Sequence, residues 1–282
     1  MIIINLSGQL GNQMFQYALG RKISSFGLKV KYDKRSYTFN PQFLYSLDIF
    51  NIQIEEATKN EIYFIRDERR TYLDRIRRKF WGRRKDIISE IPDTVYRYRN
   101  EVFETKRAYI DGYWQSEKYF DDIKEIIISD FKFPKIIDNE NLAYMAMIQK
   151  NISISIHIRR GDYVGGFPLL TKDYYDKAVS YFQTKYGDVT FFVFSNDMEW
   201  AKQNIKADKL CFVECNTGKD SWKDMYLMTQ CKHNIIANSS FSWWGAWLNQ
   251  NKDKEVIAPS LWLYHADNKD MIYCEGWKII DI

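Results

Sequence analysis

Asp-x-Asp occurs nowhere in the 282 residues. Many sugar transferases use that carboxylate pair to hold a divalent ion on a diphosphate, so that arrangement is excluded here. Histidine is scarce: His157, His233 and His265 are the 3 present, and no metal-ligand spacing surrounds them. Cys211, Cys215, Cys231 and Cys274 include no CxxC pair, which excludes the usual thiolate metal and redox motifs and reads as four reduced thiols of a cytosolic protein. No apolar run approaches the length of a membrane span. The opening MIIINLSGQLGNQ has neither a basic start nor a sustained apolar stretch, so no leader or anchor is expected there. There is no fixed-period repeat and no low-complexity tract. These absences leave a soluble cytoplasmic protein, attached at most to the inner face of a membrane.

A hydrophobic fraction of 45 %, with 17 % aromatic residues, is ample for folded cores and excludes a disordered chain. The length suits two domains of ordinary size. The net charge of +4 comes mostly from one segment, Arg66 to Lys85, which predicts a local basic surface rather than a protein that coats nucleic acid.

Met1 to Ile4 reads as a buried strand, GQLGNQ as a loop, and Gln13 to Phe26 as a helix with Phe15, Leu19, Ile23 and Phe26 at helical spacing and Gly27 as its cap. LKVKYD completes a β-α-β start. Farther on, Ile152, Ile154, Ile156 and Ile158 alternate strictly, and DVTFFVF, LCFVE, HNIIAN and EVIAPS are further short apolar strands. Helical stretches at Asp197 to Lys206, Lys219 to Lys232 and Ser240 to Asn249 separate them, so a parallel sheet covered on both faces is expected. The polar stretch after Pro134 suggests a boundary: an N-terminal domain over 1–135, a linker over 136–149 and a C-terminal domain over 150–282.

Three stretches carry candidate chemistry. In HIRRGDYV, Arg159, Arg160 and Asp162 fall at the carboxyl end of a strand, where ligands of open parallel sheets sit. Two planar guanidinium forks suit a diphosphate, with Asp162 orienting one of them; a surface salt bridge in a tight turn is the plain alternative. In NSSFSWWGAWL, Ser239 and Ser240 stand at a helix start suited to an anion, or simply cap it, while Trp243, Trp244 and Trp247 read as core. GQLGNQ lacks both the GxGxxG spacing and the lysine of a phosphate loop. It allows close backbone approach, with Asn12 and Gln13 offering amides to a sugar, or it is a tight turn with Asn12 as N-cap.

Taken together, GQLGNQMFQYALGRKI, DGYWQSEKYF, HIRRGDYV, FSND and NSSFSWWGAWL resemble the bacterial α-1,2-fucosyltransferases, in order and along nearly the whole chain. HxRRxD is shared more distantly with core α-1,6-fucosyltransferases and rhizobial chitooligosaccharide fucosyltransferases, and GxxGNQ is similar to protein O-fucosyltransferases. The resemblance implies an α/β fold with two Rossmann-like domains facing a cleft (the GT-B glycosyltransferase type), GDP-β-L-fucose as donor substrate, no cofactor, and inversion at the anomeric carbon. It implies that Arg159 holds the pyrophosphate near the leaving oxygen, supported by Arg160 and Asp162, and that His157 lies near the nucleotide. It further implies that Asp224 in WKDMYLM recognises guanine, that Ser239, Ser240 and Phe241 form the donor loop, and that Asn12 and Gln13 face fucose and acceptor.

The expected activity is transfer of L-fucose from GDP-fucose to the 2-hydroxyl of a galactose-terminated surface glycan or its precursor, without a metal and without a nucleic-acid partner. The same donor with another acceptor or linkage is the nearest rival. A basic RNA-binding protein using Arg66 to Lys85, or a non-catalytic glycan-binding module, are rivals of other classes, but no RRM-type or KH-type signature accompanies the basic segment. The sequence singles out no general base; Asp33 and Asp111 are candidates by their place at predicted strand ends. In the basic segment Ile65, Tyr72, Leu73, Ile76 and Phe80 make a narrow apolar stripe, either the packed side of a solvated helix or the face of a helix lying on an anionic membrane.

Overall fold

The computed structural model describes residues 1–40, 43–90, 97–263 and 271–282. His265 therefore lies outside the described residues. The chain forms two compact units, Met1–Lys132 and Phe133–Ile282. The first contains β1 (Ile2–Asn5), α1 (Leu10–Ser25), β2 (Val30–Asp33), α2 (Arg35–Phe39), α3 (Lys59–Ile65), α4 (Tyr72–Trp81), β3 (Ile87–Ser89), α5 (Glu101–Glu104), β4 (Ala108–Asp111) and α6 (Lys124–Asp130). Its sheet runs in the order β2-β1-β4-β3, and every pairing is parallel.

The second unit contains α7 (Asn139–Lys150), β5 (Ile152–Ile158), α8 (Lys172–Tyr186), β6 (Val189–Ser195), α9 (Met198–Asn204), β7 (Leu210–Val213), α10 (Trp222–Gln230), β8 (His233–Ile235), α11 (Ser240–Trp247), β9 (Val256–Pro259) and β10 (Lys278–Ile280). The order β10-β9-β8-β5-β6-β7 is again wholly parallel. Chain order runs outward from β5 in one direction and from β8 in the other, as in a doubly wound Rossmann sheet. Both units are thus α/β layers of the expected kind.

Strand β5 shows why the alternation ISISIHI yields a strand buried on both sides. Ile154, Ile156 and Ile158 pack into a cluster with Tyr174, Ala178 and Phe182 of α8. Ser153, Ser155 and His157 face the opposite layer and are equally buried. The two serines are satisfied there: Ser153 Oγ accepts from Lys232 N at 3.2 Å and Ser155 Oγ from Asn234 Nδ2 at 2.7 Å, while the buried His157 Nδ1 has no hydrogen-bond partner among the described residues. A polar alternation that ordinarily marks a solvated face is here a second helix-covered face. Trp243, Trp244 and Trp247 are core, as expected, with Trp243 Nε1 donating to the Ile272 carbonyl at 2.6 Å.

Two boundaries differ from expectation. The stretch expected as a linker, 136–149, is mostly helix α7, capped by Asp138 and burying Ile148 in the second unit. Its polar residues suggested a linker, but the apolar side chains among them are enough to seat one helix face. Helix α1 begins at Leu10 rather than Gln13, with Gln9 as N-cap. Gly8 at φ 74° makes the turn out of β1, so Asn12 is inside the first helical turn and does not cap it.

Candidate functional site

In the second unit the strand order reverses between β5 and β8, and that reversal places two of the three candidate stretches side by side. HIRRGDYV leaves the carboxyl end of β5, and NSSFSWW leaves the end of β8. A crevice at such a switch point is where open parallel sheets bind ligands. Tyr163 joins the two loops, donating from its hydroxyl to the Asn238 carbonyl at 3.2 Å. The buried His157 ring lies against Phe241 of α11, with centroids 5.5 Å apart.

The two arginines do different things. Arg159 Nη2 donates to Asp162 Oδ2 at 2.6 Å, and its guanidinium lies 5.5 Å from the centre of the Tyr163 ring. Arg160 sits 4.2 Å over the Trp200 ring of α9 and 3.6 Å from Asp197 Oδ2. It is therefore a brace between the loop and α9, while Arg159 stays with the loop carboxylate. Asn196, in the FSND stretch, holds both strands of the turn: its Oδ1 accepts from Arg160 N at 2.9 Å and its Nδ2 donates to Asp162 Oδ1 at 3.0 Å. A Cβ on Gly161 would stand 2.9 Å from Asn196 Nδ2, so glycine is what lets the turn close on that amide.

His157 is neutral. Burial, with the charge of Arg159 beside it, pulls its pKa down to about 3. It can supply a hydrogen bond but not a positive charge at ordinary pH. Ser239 caps α11, its side chain accepting from Phe241 N at 3.4 Å. Ser240, one residue into the helix, keeps partial exposure. Phe241 also packs on the cluster of Leu227 and Met228, which ties α11 to α10 and so to Asp224.

Asp224 stands in the first turn of α10. Burial raises its carboxyl to about 7, only partly opposed by a hydrogen bond from Asn216 Nδ2 at 2.8 Å. Asn216 and Asn141 escaped sequence reading, because neither belongs to a motif and they are brought together from the loop after β7 and the first turn of α7.

The first unit has its own reversal, between β1 and β4, followed by the GQLGNQ loop. There Gln13 is fully buried, and its amide is used to shape the loop: Nε2 donates to the carbonyls of Gly8 at 3.1 Å and Leu44 at 2.8 Å, and Oε1 accepts from Ser46 N at 2.8 Å. Gln13 is thus a peg holding 44–46 against the loop, where an outward-facing amide was expected. Asn12 keeps partial exposure, with Oδ1 accepting from Gln115 Nε2 at 2.7 Å. Of the two carboxylates at strand ends, Asp33 is withdrawn. Burial alone would raise its pKa, but hydrogen bonds from Arg35 and Tyr109 outweigh that and hold it below the usual value. Asp111 is partly exposed and, among the described residues, accepts one side-chain bond, from Asn5 Nδ2 at 2.8 Å. Glu90, also missed, accepts from the backbone N–H of Tyr113 and Trp114 yet is raised by burial.

Among the described residues, no three His, Cys, Asp or Glu side chains are grouped to hold a metal ion, and no helix is long and apolar enough to cross a membrane. All four cysteines are free thiols.

Residues 1–281 match the family described as Glycosyl transferase family 11. An O-antigen biosynthesis glycosyltransferase of Escherichia coli, WbnK, is 32 % identical over 96 % of this chain and 98 % of its own. An alpha-1,2-colitosyltransferase of Escherichia coli is 32 % identical over 100 % of this chain and 99 % of its own. A galactoside alpha-(1,2)-fucosyltransferase 2 of Rattus norvegicus is 26 % identical over 88 % of this chain and 67 % of its own.

Proposed function

The chain belongs to glycosyl transferase family 11, and from that premise we propose that it moves L-fucose from GDP-β-L-fucose to the 2-hydroxyl of a terminal β-galactoside in a surface glycan or its precursor, with inversion and without a metal ion. The observation that carries this reading is the meeting of HIRRGDYV and NSSFSWW at the β5/β8 reversal, where one partly buried guanidinium is oriented by a carboxylate beside a helix start.

Cleavage of a sugar–diphosphate bond puts negative charge on the departing GDP and positive charge on the sugar ring. Fixed donors aimed at the diphosphate lower that barrier without reorganising. In this reading Arg159 is the donor at the leaving oxygen, and Arg160, held on Trp200, fixes the turn that presents it. The first N–H groups of α11, with Ser240, add to the anion-binding field. Asp224 accepts from N1 and N2 of guanine. The galactose 2-hydroxyl loses its proton as the new bond forms, and Asp111 is the strand-end carboxylate left with a lone pair to take it, since Asp33 is tied to Arg35.

A second donor is favoured by one specific finding, the full-length relative named as an alpha-1,2-colitosyltransferase. Colitose is L-fucose without the 3-hydroxyl, so the same nucleotide site serves both. The deciding experiment offers GDP-fucose, GDP-colitose and GDP-mannose separately with lactose, and determines product linkage by NMR. An α-1,2-linked fucosyl product with GDP-fucose preferred supports the reading. Preference for GDP-colitose replaces the donor, and no transfer from any GDP-sugar to a β-galactoside overturns it.

A further inference from the structure

Helix α4 carries a dense group of exposed apolar side chains. Tyr72, Leu73, Phe80 and Trp81 are 76, 76, 70 and 77 % exposed, all on ten residues. Tyr72, Ile76 and Phe80 follow one another a turn apart, with Leu73 alongside, and the rings of Phe80 and Trp81 touch edge to face at 5.8 Å. The stripe read from the sequence is only partly this face, because Ile65 belongs to α3 and is buried. Monomeric soluble proteins scatter such residues singly; a cluster of four marks a contact surface.

The helix is fixed with that face outward. The buried Asp67, at φ 56°, pairs with Arg77 and Arg78 and accepts from Arg84 N at 3.1 Å. Arg78 Nη2 also donates to the Arg69 carbonyl at 2.8 Å, and Arg84 Nη1 to the Phe64 carbonyl at 3.0 Å. These three arginines are spent on holding α4 in place. Arg66 pairs with Glu68 and Arg69 donates to the Asn60 carbonyl, whereas Arg70, Arg75, Lys79, Arg83 and Lys85 are exposed and make no ion pair among the described residues.

We propose that α4 docks the protein on an anionic lipid surface, its apolar side chains entering the headgroup boundary and the five outward cations meeting lipid phosphates. Charge decides the occupant. A second copy of this chain docking through the same face would bring two sets of unpaired cations together, and like charges at that range repel. A single-stranded nucleic acid would match the cations and stack on the aromatic rings, but it offers no apolar environment to Leu73 and Ile76, and no RRM-type or KH-type signature accompanies the segment. An anionic bilayer surface satisfies both sets at once. None of the α4 residues named here is assigned to donor binding or catalysis, so the proposal stands or falls independently of the donor.

The test is co-sedimentation of the whole protein with vesicles of phosphatidylcholine alone or mixed with phosphatidylglycerol. One variant carries Leu73→Glu and Phe80→Glu; another carries Arg75→Gln, Lys79→Gln, Arg83→Gln and Lys85→Gln. Arg77, Arg78 and Arg84 are left intact because their loss would unseat the helix. Wild type is expected to bind the anionic vesicles and not the neutral ones, with each variant losing on the order of a hundredfold or more in partitioning. GDP binding and thermal midpoint serve as controls and should not move. Equal binding to neutral and anionic vesicles, or binding that survives both variants, overturns the proposal. So does wild-type self-association abolished by Leu73→Glu and Phe80→Glu, which gives the face to a second copy. RNA binding lost only in the four-cation variant gives the cations to nucleic acid and likewise overturns it.

Discussion

Asn141 and Asn216 exchange amide hydrogen bonds reciprocally, Nδ2 of each donating to Oδ1 of the other at 2.8 Å. The second hydrogen of each amide goes outward, from Asn141 to Asp138 Oδ1 and from Asn216 to Asp224 Oδ1, again at 2.8 Å. Lys223 Nζ, 3.1 Å from Asp138 Oδ2, closes the circuit next to Asp224. Every donor in the amide pair is used, so neither side chain can flip without losing bonds, and Asp224 Oδ1 is fixed as an acceptor. A proton on Asp224 must then reside on Oδ2.

That constraint gives a pH dependence to nucleotide binding. With its carboxyl raised to about 7, Asp224 is protonated in a growing share of empty protein as pH falls below neutrality. If guanine N–H groups bind the ionised form, binding must release that proton. GDP affinity measured by calorimetry should therefore fall by about tenfold from pH 8 to pH 6. Heats in buffers of different ionisation enthalpy should report proton release at pH 6. Asn216→Leu removes the one hydrogen bond that favours ionisation, so the falling limb should move to higher pH. A flat affinity between pH 6 and 8 would remove Asp224 from guanine contact.

Substituting Arg159 separates the two arginines. Arg159→Ala should lower kcat by about 10²–10³-fold, or about 3 kcal/mol, because one charge donor to the leaving group is gone while Arg160, Trp200 and Asn196 still hold the turn. Arg159→Lys should recover little, since a point charge cannot reproduce the fork paired with Asp162. Arg160→Ala should instead lower thermal stability along with activity. Steady-state rates and melting curves on the same preparations check all three. Activity of Arg159→Ala within threefold of wild type would refute the assignment.

The second unit's sheet, its helices and the placing of HIRRGDYV and NSSFSWW at strand ends were legible because each rests on local signals: alternation in Ile152 to Ile158, short apolar runs, and polar residues where runs stop. What stayed hidden is pairing across distance. Nothing near Arg160 in sequence says that Trp200 lies under it, and nothing near Asp224 says that Asn141 and Asn216 meet beside it. Gln13 departs from its expected role for a related reason. A polar side chain in a glycine-bearing stretch suggests solvent or ligand, but here three backbone groups from two loops take up its amide. Glutamine alone does not announce such partners.

The turn after β1 should be intolerant of a side chain. At Gly8, φ is 74°, and a Cβ there would lie 2.4 Å from Asn12 Nδ2. Its carbonyl also accepts from Gln13 Nε2 and from the Tyr37 hydroxyl, so the residue cannot shift freely. Gly8→Ala is expected to cost about 2 kcal/mol in denaturant unfolding and to displace Asn12. Gly27→Ala shares a positive φ, 77°, but has nothing within 4 Å of the added Cβ. It should cost less, about 1 kcal/mol. Equal losses at the two positions would show that φ alone, not crowding by Asn12, sets the penalty.

Fixed groups rather than a metal ion are expected to stabilise the departing diphosphate. Arg159 is oriented by Asp162 through a bond of 2.6 Å, and the start of α11 offers backbone N–H groups close to Ser239 and Ser240. If these neutralise the diphosphate, no divalent ion is needed in the rate-limiting step. Turnover in excess EDTA should then stay above about half of that in magnesium, and GDP should compete with GDP-fucose in both conditions. A modest stimulation by magnesium is compatible, because the ion can sequester product GDP in solution; it should vanish when a phosphatase removes GDP instead. Arg159→Ala sharpens the comparison, since a metal-independent site gains nothing from added magnesium when its fixed cation is lost unless the ion fills the vacancy. Abolition of turnover by EDTA, restored by one metal ion per chain, would mean that the guanidinium at the end of β5 serves another anion and that charge on the leaving group is met by a metal.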